Sequence, residues 1–367
     1  MAFGLFKKKK EAAQEAPKKS GYLTLSVKEV VHETEDAVSI HFEQPEGGDV
    51  EYQSGQFFTV IADINGKEER RAYSLCSSPF VDANPAVTVK RVDGGLMSNH
   101  LNDNAKAGEA LKLMDPIGNF ITPFDSDNER HIVLFGGGSG ITPLISIAKS
   151  ALDQEASSTV SLIYANRNID SIIFKDKLEE MVDENVGRFN LVHVLETAPE
   201  GMDCHEGWLT EAIIKDSLDK LPELSETEYF MCGPGPMMDI VETSLDNLGI
   251  EKAKVHKESF TSSADTKETD TDSGEIVARE VTIIYDDEEH KYTVAPGETI
   301  LEKGLDEDID LPFSCQSGLC TACRGKCLSG KVKMNEDEGL SEAEIDEGYV
   351  LPCVSQPLTD DVVIEIG

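Results

Sequence analysis

Five of the chain's eight cysteines fall in its last 53 residues. Four of them, Cys315-x4-Cys320-x2-Cys323 and, after 29 further residues, Cys353, have the spacing with which four thiolates hold a [2Fe–2S] cluster. A cluster of that kind needs a loop that wraps it closely and aims backbone N–H groups at the sulfurs. Ser314, Ser317, Gly318, Thr321, Ala322 and Gly325 are small enough to allow that approach. Structural zinc is the alternative, but it usually takes two C-x2–4-C pairs. Here one C-x2-C is present and Cys353 stands apart. Cys327 reads as a packed thiol outside the ligand set, and Cys76 and Cys204 have no evident metal partner.

A second group of residues suits chemistry on electron pairs. Arg71-Ala-Tyr73-Ser74 offers a cation, a flat aromatic and a hydroxyl in one strand, as a flavin needs at its pyrophosphate, ring and reactive nitrogen. Four residues can also be an ordinary solvent face. Gly94-Gly95-Leu-Met97-Ser98-Asn99 follows, with backbone amides that could hold phosphate oxygens. Gly136-Gly137-Gly138-Ser-Gly140-Ile-Thr142-Pro143 joins a buried strand to a helix start, where amides and a helix N-terminus meet a phosphate. Ile141 stands where the third glycine of G-x-G-x-x-G would be, so the dinucleotide fingerprint is not met. A purely structural turn rarely spends so many glycines. Cys232-Gly233-Pro-Gly-Pro joins another strand to a helix at the same carboxyl edge, where ligands bind α/β sheets. Arg167, in Tyr164-Ala-Asn-Arg167-Asn168, could pair with a 2′-phosphate, which leans toward NADPH, or stack on adenine.

The elements that must position these residues fall into three parts. Residues 21–126 read as short alternating strands, such as Tyr22–Val27 and Val38–Phe42, with Gly-rich turns and no long helical pattern, which predicts a Greek-key β-barrel. Residues 127–260 alternate buried strands with helices: strands His131–Phe135, Thr159–Ala165, Phe189–Leu195, Tyr229–Cys232 and Val255–Phe260, and helices Ile141–Leu152, Phe174–Asp183 and Pro236–Leu248. That alternation predicts an α/β domain with a parallel sheet. Residues 261–276 carry almost no large apolar residue and read as an acidic linker, and 1–20 as a basic tail. Residues 277–367 are small and mixed: a hairpin over Val277–Tyr285 and Lys291–Val294, a helix Thr299–Leu305 and a closing strand Val362–Ile366.

Composition narrows the partners. With 33 Lys and Arg against 70 Asp and Glu, a net charge of −37 excludes nucleic acid, whose phosphates need clustered cations. Residues 261–367 hold 26 acidic and 8 basic residues, so the C-terminal part suits a basic docking surface on a partner. No apolar run approaches the roughly 18 residues of a membrane span. Lacking an export signal, the chain is expected in the cytoplasm, where clustered cysteines serve metals.

Taken together, R-x-Y-S, G-G-G-S-G-I-T-P and C-G-P-G-P, in order, resemble the ferredoxin–NADP reductase superfamily over residues 21–260. The remainder resembles a plant-type ferredoxin domain of the β-grasp fold. The whole is similar to oxygenase reductases, among them the reductase component of phenylacetyl-CoA epoxidase, especially through Gly348-Tyr-Val-Leu-Pro-Cys353. The resemblance implies that Arg71, Tyr73 and Ser74 bind FAD, with Gly95, Met97 and Ser98 near its diphosphate. It places Gly137, Gly138, Gly140 and Thr142 along NADPH or NADH, and Cys232 and Gly233 near the nicotinamide ring. Glu258, in His256-Lys-Glu258-Ser259-Phe260, matches a family carboxylate beside the flavin, although Ser259 departs from many relatives. A surface acid is the alternative for Glu258.

The implied function is an NAD(P)H-dependent oxidoreductase in which electrons enter FAD as a pair and leave singly through the [2Fe–2S] cluster to a terminal oxygenase or other redox protein. Two further readings stay open: a reductase serving a soluble ferredoxin or hybrid-cluster protein, and a non-catalytic regulatory subunit that binds flavin.

Overall fold

The computed structural model describes residues 22–221, 226–260, 277–286, 288–316, 318, 320–335, 339–340 and 342–366. The basic tail over 1–20 and the linker over 261–276 that the sequence suggests lie outside the described residues.

The first module is almost all strand. It comprises β1 (Tyr22–Thr34), β2 (Ala37–Phe42), β3 (Phe57–Ile64), β4 (Lys67–Ser74), β5 (Ala86–Lys90), α1 (Leu96–Asn104) and β6 (Ala110–Met114). The strands form one antiparallel sheet in the order β4-β3-β6-β1-β2-β5. A bridge between Leu75 and Val87 draws the edge strands β4 and β5 together, so the sheet curls into a barrel. Its inward-facing residues, including Phe42, Phe58, Val60, Leu75 and Leu113, make one core, with Phe42 and Phe58 edge to face at 5.8 Å. The short helix α1 is an element that the sequence pattern does not mark. Met97 and Leu101, four residues apart, are its buried apolar pair, too few to show a helical period in the sequence.

The second module alternates strands and helices: β7 (His131–Gly137), α2 (Ile141–Gln154), β8 (Thr159–Asn166), α3 (Lys175–Glu184), β9 (Phe189–Leu195), β10 (His205–Glu206), α4 (Glu211–Asp219), β11 (Thr227–Cys232), α5 (Gly235–Asn247) and β12 (Val255–Glu258). All pairings are parallel, in the order β10-β9-β8-β7-β11-β12. Strand β7 is buried throughout, as helix cover on both sheet faces demands. The chain order reverses beside β7, so the loops after β7 and β11 flank the crevice where such sheets bind ligands. Strand β10 and helix α4 carry too little local signal to be expected from sequence. Two residues of strand show no alternation, and α4 buries only Ile214 and Ser217.

The third module holds β13 (Arg279–Tyr285), β14 (Glu288–Val294), α6 (Ile300–Asp306), β15 (Gly325–Ser329), β16 (Val332–Met334), α7 (Glu342–Asp346), β17 (Tyr349–Val350), β18 (Ser355–Pro357) and β19 (Val362–Ile366). The main sheet runs β14-β13-β19-β15-β17, with β13 and β19 parallel, and β16 pairs with β18. Helix α6 starts with a reciprocal cap between Thr299 and Glu302 and buries Ile300 and Leu301 against the sheet. A mixed sheet grasping one helix is the β-grasp architecture. No helix among the described residues is long and apolar enough to cross a membrane.

Candidate redox site

Three modules meet at strand β4. A strand turns alternate side chains to opposite sides, so Arg71 and Tyr73 share one side, and Arg70, Ala72 and Ser74 the other. Arg71 is half exposed, paired with Glu69 at 3.2 Å, and its guanidinium donates to the Arg70 carbonyl at 2.6 Å. Tyr73 packs against the barrel core, and burial raises its phenol. Ser74 is buried and donates from Oγ to Glu258 Oε2 at 3.0 Å, across 184 residues of sequence.

Glu258 ends β12 directly opposite Cys232 at the end of β11. Ser74, Cys232 and Glu258, from three separate segments, therefore converge. Burial pushes the Glu258 carboxyl up to about 8, against the Ser74 hydrogen bond that favours its charged form. Burial first, and then the charge of Glu258, raises the Cys232 thiol well above its ordinary value. The trio can hold a proton near neutral pH and present no thiolate.

Beside it lies the glycine cradle. A Cβ on Gly140 would stand 2.0 Å from the Cys232 carbonyl oxygen, so the loops after β7 and β11 touch through backbone alone. A Cβ on Gly137 or Gly233 would meet Met237 at 2.7 Å. Gly138, at φ +52°, takes a left-handed turn, and its carbonyl accepts from the Tyr164 hydroxyl at 2.8 Å. Thr142 is buried and donates to the Ser139 carbonyl. These loops open into a cavity of about 290 Å³ lined by Gly137, Gly138, Asn166, Arg167, Glu196 and Trp208, among others. Asn166 is 7 % exposed and neither end of its amide has a hydrogen-bond partner. A buried orphan amide beside bare glycine backbone fits a polar ligand with phosphates and hydroxyls.

Arg167, at the cavity wall, pairs with Asp36 of the barrel at 2.8 Å through one guanidinium nitrogen. The cavity also takes in Glu196 and the exposed Trp208, which no sequence motif singles out; Trp208 is the chain's single tryptophan, a signal that was available. Of the second glycine segment, Gly95 caps α1, Met97 enters the barrel core, and the Ser98 hydroxyl accepts from the Val92 N–H at 3.1 Å.

Further along β4, on the side that Ala72 shares with Ser74, sit the thiols. Cys320, Cys323 and Cys353 are buried and Cys315 is half-buried. Gln316 and Gly318 turn the loop through left-handed conformations, at φ 54° and 77°. A hydrogen bond with Cys315, then burial, raises the Cys320 thiol well above its ordinary value; hydrogen bonds with Cys315 and Cys323, then burial, do the same for Cys353. Four cysteine sulfurs, three of them buried, are the donor set that a [2Fe–2S] cluster takes. Cys327 lies on β15, its thiol directed to the Ser329 carbonyl. Cys315, Cys320 and Ala322 pack against Phe57, Ala72 and Ile117 of the barrel. The cysteine loop thus touches the strand that carries Tyr73 and Ser74.

Comparison with known proteins agrees with this architecture. Residues 21–121 match the oxidoreductase FAD-binding domain family, 134–243 the oxidoreductase NAD-binding domain family, and 283–358 the 2Fe-2S iron-sulfur cluster binding domain family. The last of these decides for an iron–sulfur cluster over structural zinc. The chain is 39 % identical to the ferredoxin reductase component of 3-ketosteroid-9-alpha-monooxygenase from Rhodococcus rhodochrous, over 96 % of this chain and 99 % of that protein. It is 32 % identical to one component of the 1,2-phenylacetyl-CoA epoxidase of Escherichia coli, over 93 % and 97 % respectively. Phthalate dioxygenase reductase shares the fold, with a TM-score of 0.57 at 23 % identity over 96 % of this chain and all of that one. The chain belongs to the family of three-domain oxidoreductases that carry FAD-binding, NAD-binding and [2Fe–2S] domains in one polypeptide, the ferredoxin reductase components.

Proposed function

From that membership, we propose that this protein is the electron-supplying reductase of an oxygenase system, taking electrons from a reduced nicotinamide nucleotide and delivering them to a terminal oxygenase component in the cytoplasm. The observation that carries the reading is the meeting at β4 of the Ser74–Glu258–Cys232 trio with the cysteine loop, two segments that the sequence separates by scores of residues. When bound, FAD exchanges electrons in pairs with the nicotinamide and singly with the [2Fe–2S] cluster.

The chain's own residues bind and orient. Arg71 balances pyrophosphate charge, Tyr73 gives the ring a flat wall, and Ser74 orients the Glu258 carboxyl, which keeps a proton at neutral pH. Gly137, Gly138, Gly140 and Gly233 let the dinucleotide approach backbone, and Cys232 closes the end of that crevice as a compact, neutral thiol. Cys315, Cys320, Cys323 and Cys353 hold the cluster, and Phe57, Ala72 and Ile117 keep water from the contact with the barrel.

The cavity favours NADH over NADPH, reversing the lean taken from Arg167 alone. Arg167 already spends its charge on Asp36, and the Glu196 carboxylate would accept from a ribose diol but repel a 2′-phosphate. The test is a visible spectrum with iron, acid-labile sulfide and flavin analysis of anaerobically prepared protein, before and after NADH or NADPH. Bleaching of flavin and then of iron–sulfur absorbance supports the reading. Protein that holds flavin but reduces no dye with either nucleotide would mark a regulatory subunit instead.

A further inference from the structure

Resting on that reading, we infer that Arg70, a residue in neither cofactor segment, positions the cysteine loop on the flavin barrel by clamping Asp310 and Phe313 of the iron–sulfur module. Arg70 lies on the same side of β4 as Ala72 and Ser74. Its side chain is 6 % exposed although it carries a full charge. It is covered from both modules: the ring of Phe313 lies 4.4 Å from the guanidinium carbon and Asp310 Oδ1 accepts from Nη2 at 3.3 Å, while the ring of Tyr22 of the barrel lies 5.9 Å away and its hydroxyl accepts from Nη1 at 3.5 Å. Glu68, on its own strand, balances the charge at 2.7 Å.

The clamp is in step with the redox contact. Phe313 stands two residues before Cys315, and Ala72, which packs against the cysteine loop, stands two residues after Arg70. Fixing one pair therefore fixes the other. A second anchor flanks the loop: Asn119, two residues past Ile117, donates to both carboxylate oxygens of Glu344 at 3.0 and 3.2 Å, and Glu344 also accepts from Arg324, the neighbour of Cys323. Asp310 itself stays 71 % exposed, so water and salt reach the ion pair. A planar fork that stacks on an aromatic while pairing with a carboxylate is a role lysine cannot fill. The arrangement sets distance and orientation for the single-electron step without touching the proposed nucleotide cavity.

The test uses anaerobically purified full-length protein and the variants Asp310→Asn and Arg70→Met, the latter keeping the apolar stem. Hydrogen exchange reports the clamp independently of turnover, and stopped-flow absorbance separates flavin reduction from cluster reduction. Asp310→Asn should keep its iron and flavin and stay within about twofold in flavin reduction, while cluster reduction slows about tenfold or more. Exchange should rise in 310–316 and in 67–74. The double variant should be no slower than the worse single one, since both remove the same contact. Unchanged cluster reduction together with unchanged exchange would overturn the inference. If Arg70→Met fails to fold, Asp310→Asn alone decides, being a surface change in the other module. If the unaltered protein holds both cofactors yet no nucleotide reduces it, the functional reading fails, while the exchange comparison still decides the clamp.

Discussion

Strand β4 makes two junctions, one with the nucleotide module and one with the iron–sulfur module, and they are built from different materials. The first is a neutral hydrogen bond between the buried Ser74 and a carboxyl that keeps its proton. The second combines a small apolar patch, Phe57 and Ala72 against Cys320 and Ala322, with a charged rim at Arg70, Asp310, Asn119 and Glu344. A contact that must hold a nucleotide ring against a flavin tolerates little displacement. A contact that must pass one electron needs proximity and orientation, which a salt-sensitive rim around a small dry centre can supply. One junction is a neutral hydrogen bond, the other charge around a dry patch.

The sharpest way to break the second junction is Phe57→Ala. Phe57 is 4 % exposed, and removing its ring should cost about 3–5 kcal/mol, read as a lower thermal midpoint together with exposure of the cysteine loop to a thiol reagent. The nucleotide crevice behind the first junction should break at Gly140→Ala, because the added carbon lands on the Cys232 backbone oxygen, which cannot turn aside. A loss of about 10²-fold or more is expected in nucleotide-driven flavin reduction, with dithionite reduction of the cluster unaffected.

The pH dependence separates the junctions further. The Glu258 carboxyl is raised to about 8 in the folded chain, so between the usual carboxylate range and that value the folded state holds a proton that the unfolded state releases. Its contribution to stability is full at low pH and is lost as pH rises through this window. Glu258→Gln should therefore gain on the parent protein between pH 5 and 8, by less than the roughly 1.4 kcal/mol per pH unit of one full proton. No such gain in a thermal-unfolding series would remove the buried-carboxyl account. Smallest is Asn119→Ala: an exposed contact at the charged rim should change stability by less than about 1 kcal/mol, and the change should shrink in high salt. An equal effect at low and high salt would show the rim to be packing rather than charge.

Much of this architecture was legible in the chain. The buried run of β7 followed by glycines, and the cysteine spacing, state their chemistry locally, because both signals depend on neighbours in sequence. What was not legible has a physical reason in each case. Helix α1 rests on one apolar pair, β10 on two residues, and the strands β15 to β18 on turn-rich segments whose pairing partners lie elsewhere in the chain. The ion pair of Arg167 was hidden because its partner, Asp36, sits 131 residues away on another module.

The residue types and spacings by themselves determined the three-module order and the classes of cofactor, since a thiolate quartet and a glycine turn act whatever surrounds them. Only the tertiary structure decided which of two adjacent arginines, Arg70 or Arg71, faces the iron–sulfur module, and that Glu258 is a half-buried proton holder bonded to Ser74 rather than a surface acid. Alternation along a strand says that neighbours face opposite ways; it does not say what waits on either side. That depends on chain segments about 240 residues apart meeting in space, and on the water their meeting excludes.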